Sequence, residues 1–137
     1  MRVVATIALA VALTAVASAL GSSGASAPRT VDVKVRDYRI GAPRTLPAGD
    51  VVLDVRNEGP DDHELLVVRG EKRLPLRADG ITVDEDEIEP RTLVSLEPVA
   101  PGSTHTLRLH LAPGRYQLFC NMAGHYLGGM HTSIVVR

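Results

Sequence analysis

Tryptophan is absent and phenylalanine occurs once, so with three tyrosines the aromatic share of the 137 residues is only 3%. Base-stacking platforms and aromatic sugar sites find no support in so small a set, and a core must be built from Val, Leu and Ile. Neither sign of charge is in excess: 15 Lys and Arg face 16 Asp and Glu, a formal net charge of -1. A surface held by nucleic-acid phosphates needs a basic surplus, so nucleic acid is not an expected partner. The single cysteine, Cys120, excludes any internal disulfide. Apolar residues at 45% and charged ones at 23% describe a globular chain, and the length suits one domain.

Arg2 precedes an apolar run from Val3 to Leu20, broken only by Thr6, Thr14 and Ser18. The small residues Gly21 to Ala27 follow, which together read as a secretory signal over about 1–25. Pro28 follows Ala25-Ser26-Ala27 and hinders a cut there, leaving cleavage after Ala25 or Ala19. The same run is near the lower length for a membrane span, but seven of its residues are alanine, a weak membrane former. Export to the periplasm, cell envelope or exterior is therefore expected, with membrane association only if the segment stays uncleaved. In such a place a free thiol would oxidise or pair with another chain. Cys120 is thus more credible as a metal ligand than as an idle core residue.

The rest of the chain, 30–137, alternates as strands do. Val31, Val33 and Val35 oppose Asp32, Lys34 and Arg36, and the parity slip at Asp37 suggests a bulge. Val51, Leu53 and Val55 alternate next; Leu65 to Val68 is a continuous apolar run, and Leu107 to Leu111 and Tyr116 to Cys120 alternate again. Ile134 to Val136 closes the set. Seven or eight short strands without a convincing amphipathic helix predict an all-β sandwich. The stretch 71–103, with four prolines and the acidic run Asp84 to Glu87, departs from this rhythm and reads as a solvated surface insertion, the alternative being a long functional loop with a turn of helix.

One segment concentrates chemistry. Cys120, His125 and Met130 are spaced Cys-x4-His-x4-Met, with Gly124, Gly128 and Gly129 allowing the chain to fold back between them. His63, after the turn Asn57 to Asp62 and before the Leu65 run, offers a fourth donor. Two imidazoles and a thiolate, with a weak thioether on the axis, suit copper cycling between Cu(I) and Cu(II). Zinc would accept the Cys-His-His set, though a thioether is unusual for it. His105 and His110 are expected to face solvent, and Met122 and His131 to point away from the site.

Asn57-x-Gly59-x-x-x-His63 followed by Cys120-x4-His125-x4-Met130 resembles the cupredoxins, the small blue copper proteins. The spacing is closest to their rusticyanin, auracyanin and sulfocyanin branch. The resemblance implies a Greek-key sandwich with one type 1 copper ion at one end. It makes His63, Cys120 and His125 equatorial ligands and Met130 the axial one. It also implies a one-electron carrier, monomeric and not an enzyme, whose redox partners dock at His125 on a patch framed by Gly124, Tyr126 and Leu127. Two departures stand out: Glu64 occupies a position where many members have an Asn that ties the ligand loops together, and Asp61 and Asp62 put negative charge beside His63. A copper-binding or delivery protein would use similar donors, but such proteins more often present exposed, Met-rich or two-Cys sites. A copper enzyme would need a second centre, whereas Phe119 and Asn121 flank Cys120 where bridging histidines would stand.

Overall fold

The computed structural model describes residues 27–137, so the signal segment read over 1–25 lies outside the described residues. Nine strands form two sheets: β1 (Arg29–Arg36), β2 (Arg39–Gly41), β3 (Thr45–Leu46), β4 (Gly49–Asn57), β5 (His63–Arg69), β6 (Thr92–Val99), β7 (Thr104–Leu111), β8 (Gly114–Phe119) and β9 (His131–Val136). One sheet has the order β2-β1-β4-β7 and the other β3-β9-β8-β5-β6. The pairs β1–β4 and β3–β9 are parallel and the rest antiparallel. Chain passages from β4 to β5, β6 to β7 and β7 to β8 each cross between the sheets, closing an all-β sandwich. Among the described residues no helix is long and apolar enough to cross a membrane.

Alternation builds the main core. Val31, Val33 and Val35 of β1, Val51, Leu53 and Val55 of β4, Leu65 and Val67 of β5, and Tyr116 and Leu118 of β8 meet between the sheets. In a strand, successive side chains point to opposite faces, so Leu66 and Val68 must face away from that core. They enter a second core with Phe119, Leu74, Val83, Ile88 and Tyr126. The unbroken Leu65 to Val68 run thus reflects a strand covered on both faces.

The cover is the segment after β5, which corrects two expectations. It is not a solvated insertion, and it does not extend to residue 103, since Thr92–Val99 is strand β6 paired with β5. Within the segment, α1 (Glu85–Ile88) is capped by Asp84, whose carboxylate accepts from the Asp86 and Glu87 N–H groups. Acidic residues favour the first turn of a helix, where the unpaired N–H groups lie. The acidic run is therefore a helix start, and its Ile88 is fully buried in the second core.

The bulge expected at Asp37 is instead a turn. β1 ends at Arg36, Tyr38 takes a left-handed backbone with φ 57°, and β2 returns antiparallel. Beyond the helix, the count of nine strands exceeds the expected seven or eight because β6 was hidden in the proline-rich stretch and β2 and β3 are very short.

Candidate metal centre

The site lies at one end of the five-stranded sheet. His63 opens β5, Cys120 directly follows β8, and Met130 directly precedes β9. Between Cys120 and Met130 the chain coils through tight turns: the N–H groups of His125, Gly128 and Gly129 donate to the carbonyls of Met122, Gly124 and Tyr126. Gly124 and Gly129 adopt φ of 78° and 101°, values that a side chain would strain. Cys120 N–H donates to the Met130 carbonyl at 3.1 Å, and Met130 N–H to the His125 carbonyl at 2.9 Å. Five and ten residues of separation are thus folded back onto one point.

One donor atom each from His63, Cys120 and His125 lies within 4.8 Å of the other two. The Cys120 sulfur stands 3.5 Å from His125 Nδ1, and the two imidazole centroids are 5.2 Å apart. His63, Cys120 and Met130 are fully buried, while His125 is half-buried. Met130 sits in the same core cluster as Cys120. His63 Nδ1 is buried and has no hydrogen-bond partner among the described residues. A buried ring nitrogen without a partner costs free energy unless something completes it. Together with a thiol and a second imidazole, it fits a soft or borderline metal ion.

The surroundings set the charge of these groups. Burial pushes the Cys120 thiol up; the N–H groups of Met122 and Glu64 donate to the sulfur and oppose that rise, while the Glu64 charge adds to it. Loss of solvent, and then the His63 ring, push His125 below its ordinary value, against the opposing pull of Asp37 and Asp61. The lowered His125 is favoured as the neutral imidazole that a metal needs, whereas the raised Cys120 thiol must give up its proton as a metal binds. The Glu64 carboxyl is raised by burial and by nearby Glu85, and lowered by an N–H from Asn121.

Glu64 has no side-chain amide to tie the ligand loops; its N–H and its charge act on the Cys120 thiol, and the Asn121 N–H acts on its carboxyl. Asn121 then binds the covering segment: its Oδ1 accepts from Val83 N–H, and its Nδ2 donates to Val83 O at 3.0 Å and to Glu85 Oε1 at 2.7 Å. Gly124 N–H donates to Ile81 O, and Tyr126 OH accepts from Leu74 N–H. On the other side, fully buried Asn57 holds the His63 loop through Val99 O and Asp61 O, both at 2.8 Å.

The carboxylate in contact with His63 is Asp37, at 3.0 Å from Nε2, not exposed Asp61 or Asp62. Sequence reasoning missed it because it lies 26 residues upstream, in the turn between β1 and β2 of the other sheet. Tyr126 does not frame a surface patch; it is 5% exposed and meets Phe119 edge-on. The exposed large apolar residues around the loop are Tyr38, Ile81 and Leu127. His105 and His110 face solvent as expected, His131 is exposed as well, and Met122 packs against the main core.

Structural comparison bears on the fold. Dithionite-reduced auracyanin from Roseiflexus castenholzii superposes with a TM-score of 0.62 at 18% identity, covering 82% of this chain and 99% of that one. Auracyanin A, a blue copper protein from Chloroflexus aurantiacus, gives 0.60 at 18% identity, covering 80% and 99%. Rusticyanin from Thiobacillus ferrooxidans gives 0.57 at 15% identity, covering 80% and 78%. The fold is that of the cupredoxins. No protein-family model and no curated sequence matches the chain, so the likeness to cupredoxins rests on the fold. At such identities the cupredoxin likeness concerns the backbone; the side chains of the site speak for themselves.

Proposed function

We propose that this protein is an exported one-electron carrier that holds one copper ion through His63, Cys120 and His125, with Met130 as the weak axial ligand. The observation carrying this reading is the convergence of one donor atom each from His63, Cys120 and His125 within 4.8 Å, together with a His63 ring whose buried Nδ1 has no partner among the described residues. A bound copper ion would supply a Cu(II)/Cu(I) couple. The chain's own part is to present a thiolate and two neutral imidazoles from strand ends and a hydrogen-bonded loop. Donors held that firmly move little between oxidation states, which favours rapid electron exchange over metal hand-off.

His125 is the half-buried member of the set and the natural port. Tyr38, whose ring lies 5.6 Å from that of His125, and Leu127, two residues on, give it an apolar rim. A redox protein with a matching apolar face would dock there. Export rests on the Val3 to Leu20 run, and the poor prospects of an unprotected thiol outside the cell in turn favour Cys120 as a ligand.

The deciding experiment is addition of Cu(II) to the purified protein. One equivalent should bind and produce an intense visible band from thiolate-to-copper charge transfer. Cys120→Ser should bind without that band while keeping its far-UV circular dichroism. No band in the wild type, or a band retained in the variant, refutes the assignment. Rapid loss of copper to a modest chelator would favour delivery over electron transfer.

A further inference from the structure

We propose that the β1–β2 turn is a built-in positioning element of the metal centre, with Asp37 as the residue that fixes His63. The inference rests on the copper-carrier reading and deepens it.

Asp37 contacts the buried His63 ring at Nε2, 3.0 Å away. An ionised carboxylate only accepts hydrogen bonds, so Nε2 carries the ring proton and Nδ1 keeps its lone pair. That Nδ1 is the buried atom with no protein partner. A ring nitrogen ready to bind metal is normally prepared by a hydrogen bond of this kind at the other nitrogen.

Two further features show that room and shape are made for the pair. At Gly59 a Cβ would lie 2.9 Å from both Asp37 Oδ1 and His63 Nε2, and 3.1 Å from Arg36 Cα. Any side chain there would press on the contact itself. Tyr38, beside Asp37, is the one non-glycine residue with positive φ among the described residues. Such a conformation is unfavourable for a side-chain-bearing residue and persists where its surroundings hold it. Here its ring lies over His125 and against Gly128, where a Cβ would clash with it. One two-residue turn thus touches both histidines: the carboxylate orients His63 and the phenol ring backs His125.

The test uses the full chain labelled with ¹⁵N-histidine. Long-range ¹H–¹⁵N spectra of the metal-free protein at about pH 8, where an ordinary imidazole is neutral, report the tautomer of His63. The wild type should show one tautomer, protonated at Nε2. Asp37→Leu should show a mixture and bind copper about 10- to 100-fold more weakly, the usual loss when such a partner is removed. Asp37→Asn keeps an acceptor and removes the charge, so it should hold the tautomer and raise the reduction potential. A single unchanged tautomer with wild-type affinity in Asp37→Leu overturns the proposal. Should that variant fail to fold, an unchanged potential in Asp37→Asn overturns it instead. If the wild type bound no copper, the carrier reading would fall, while the tautomer spectra would still decide whether Asp37 orients His63.

Discussion

Replacing Asn121 by alanine isolates the link between the covering segment and the ligand loop. The side chain is 7% exposed and makes three hydrogen bonds, two of them to the backbone of fully buried Val83. Truncation leaves the Val83 N–H and C=O without partners in an apolar setting. Each orphaned buried group costs about 1–3 kcal/mol, so with partial rescue by entering water the loss should be about 2–4 kcal/mol. For a domain of this size that lowers the thermal midpoint by roughly 10 °C. Urea unfolding measures the total, and amide exchange locates it: the Val83 amide, and that of Gly124 bonded to Ile81 O, should lose protection first. A loss below about 0.5 kcal/mol with Val83 protection intact would refute the reasoning, since surface substitutions fall in that range. The segment would then be resting on the sandwich rather than fastened to it.

Four more outcomes are expected. Gly59→Ala, which in an open position would stabilise by about 0.4–1 kcal/mol, should instead destabilise, because crowding at 2.9 Å costs about 1–3 kcal/mol; a raised midpoint would refute the crowding. Ile88→Ala should cost about 2–5 kcal/mol in chemical denaturation, and a loss under about 1 would return the acidic stretch to solvent. Met130→Gln should keep copper but lower the reduction potential measured by voltammetry; no change would remove Met130 from the ligand set. His125→Gly should lose the visible band and regain it with added imidazole, and failure of that rescue would show that His125 is not the accessible ligand.

Much of the architecture is legible in the sequence, and what escapes has physical causes. The period-2 pattern of β1, β4 and β7 marks strands whose one face is covered, and β8 alternates in the same way although Phe119 is buried on its other face. Cys120, His125 and Met130 are visible because their partners are close in sequence and the glycines between them announce a loop. Leu65 to Val68 announces burial on both faces but not what supplies the second cover. That cover lies in a stretch of proline and acid, where local composition argues for solvent. Only the distant pairing of Ile88, Val83 and Leu74 with Phe119 and Tyr126 overrides it. Asp37 is the sharpest case. Nothing local separates it from Asp61 or Asp62, which stand nearer to His63 along the chain, and only the parallel register of β1 on β4 brings the turn after Arg36 over the His63 loop.

The fastening on both sides bears on which function the donors serve. The covering segment reaches the ligand loop through Asn121, Gly124 and Tyr126, and the β1–β2 turn reaches it through Tyr38. The His63 loop is held separately by Asn57 and Asp37. A site that surrenders its metal must let at least one buried donor swing out, and each of these contacts opposes that motion. Three of the four candidate donors are fully buried, so release would expose apolar core as well as break hydrogen bonds. Electron exchange asks for the reverse: donors that stay still, and one ring edge near the surface. His125, half-buried and rimmed by Tyr38 and Leu127, offers that edge. The same contacts that make hand-off slow make the geometry common to both oxidation states, and this is why the carrier is the better reading of the two.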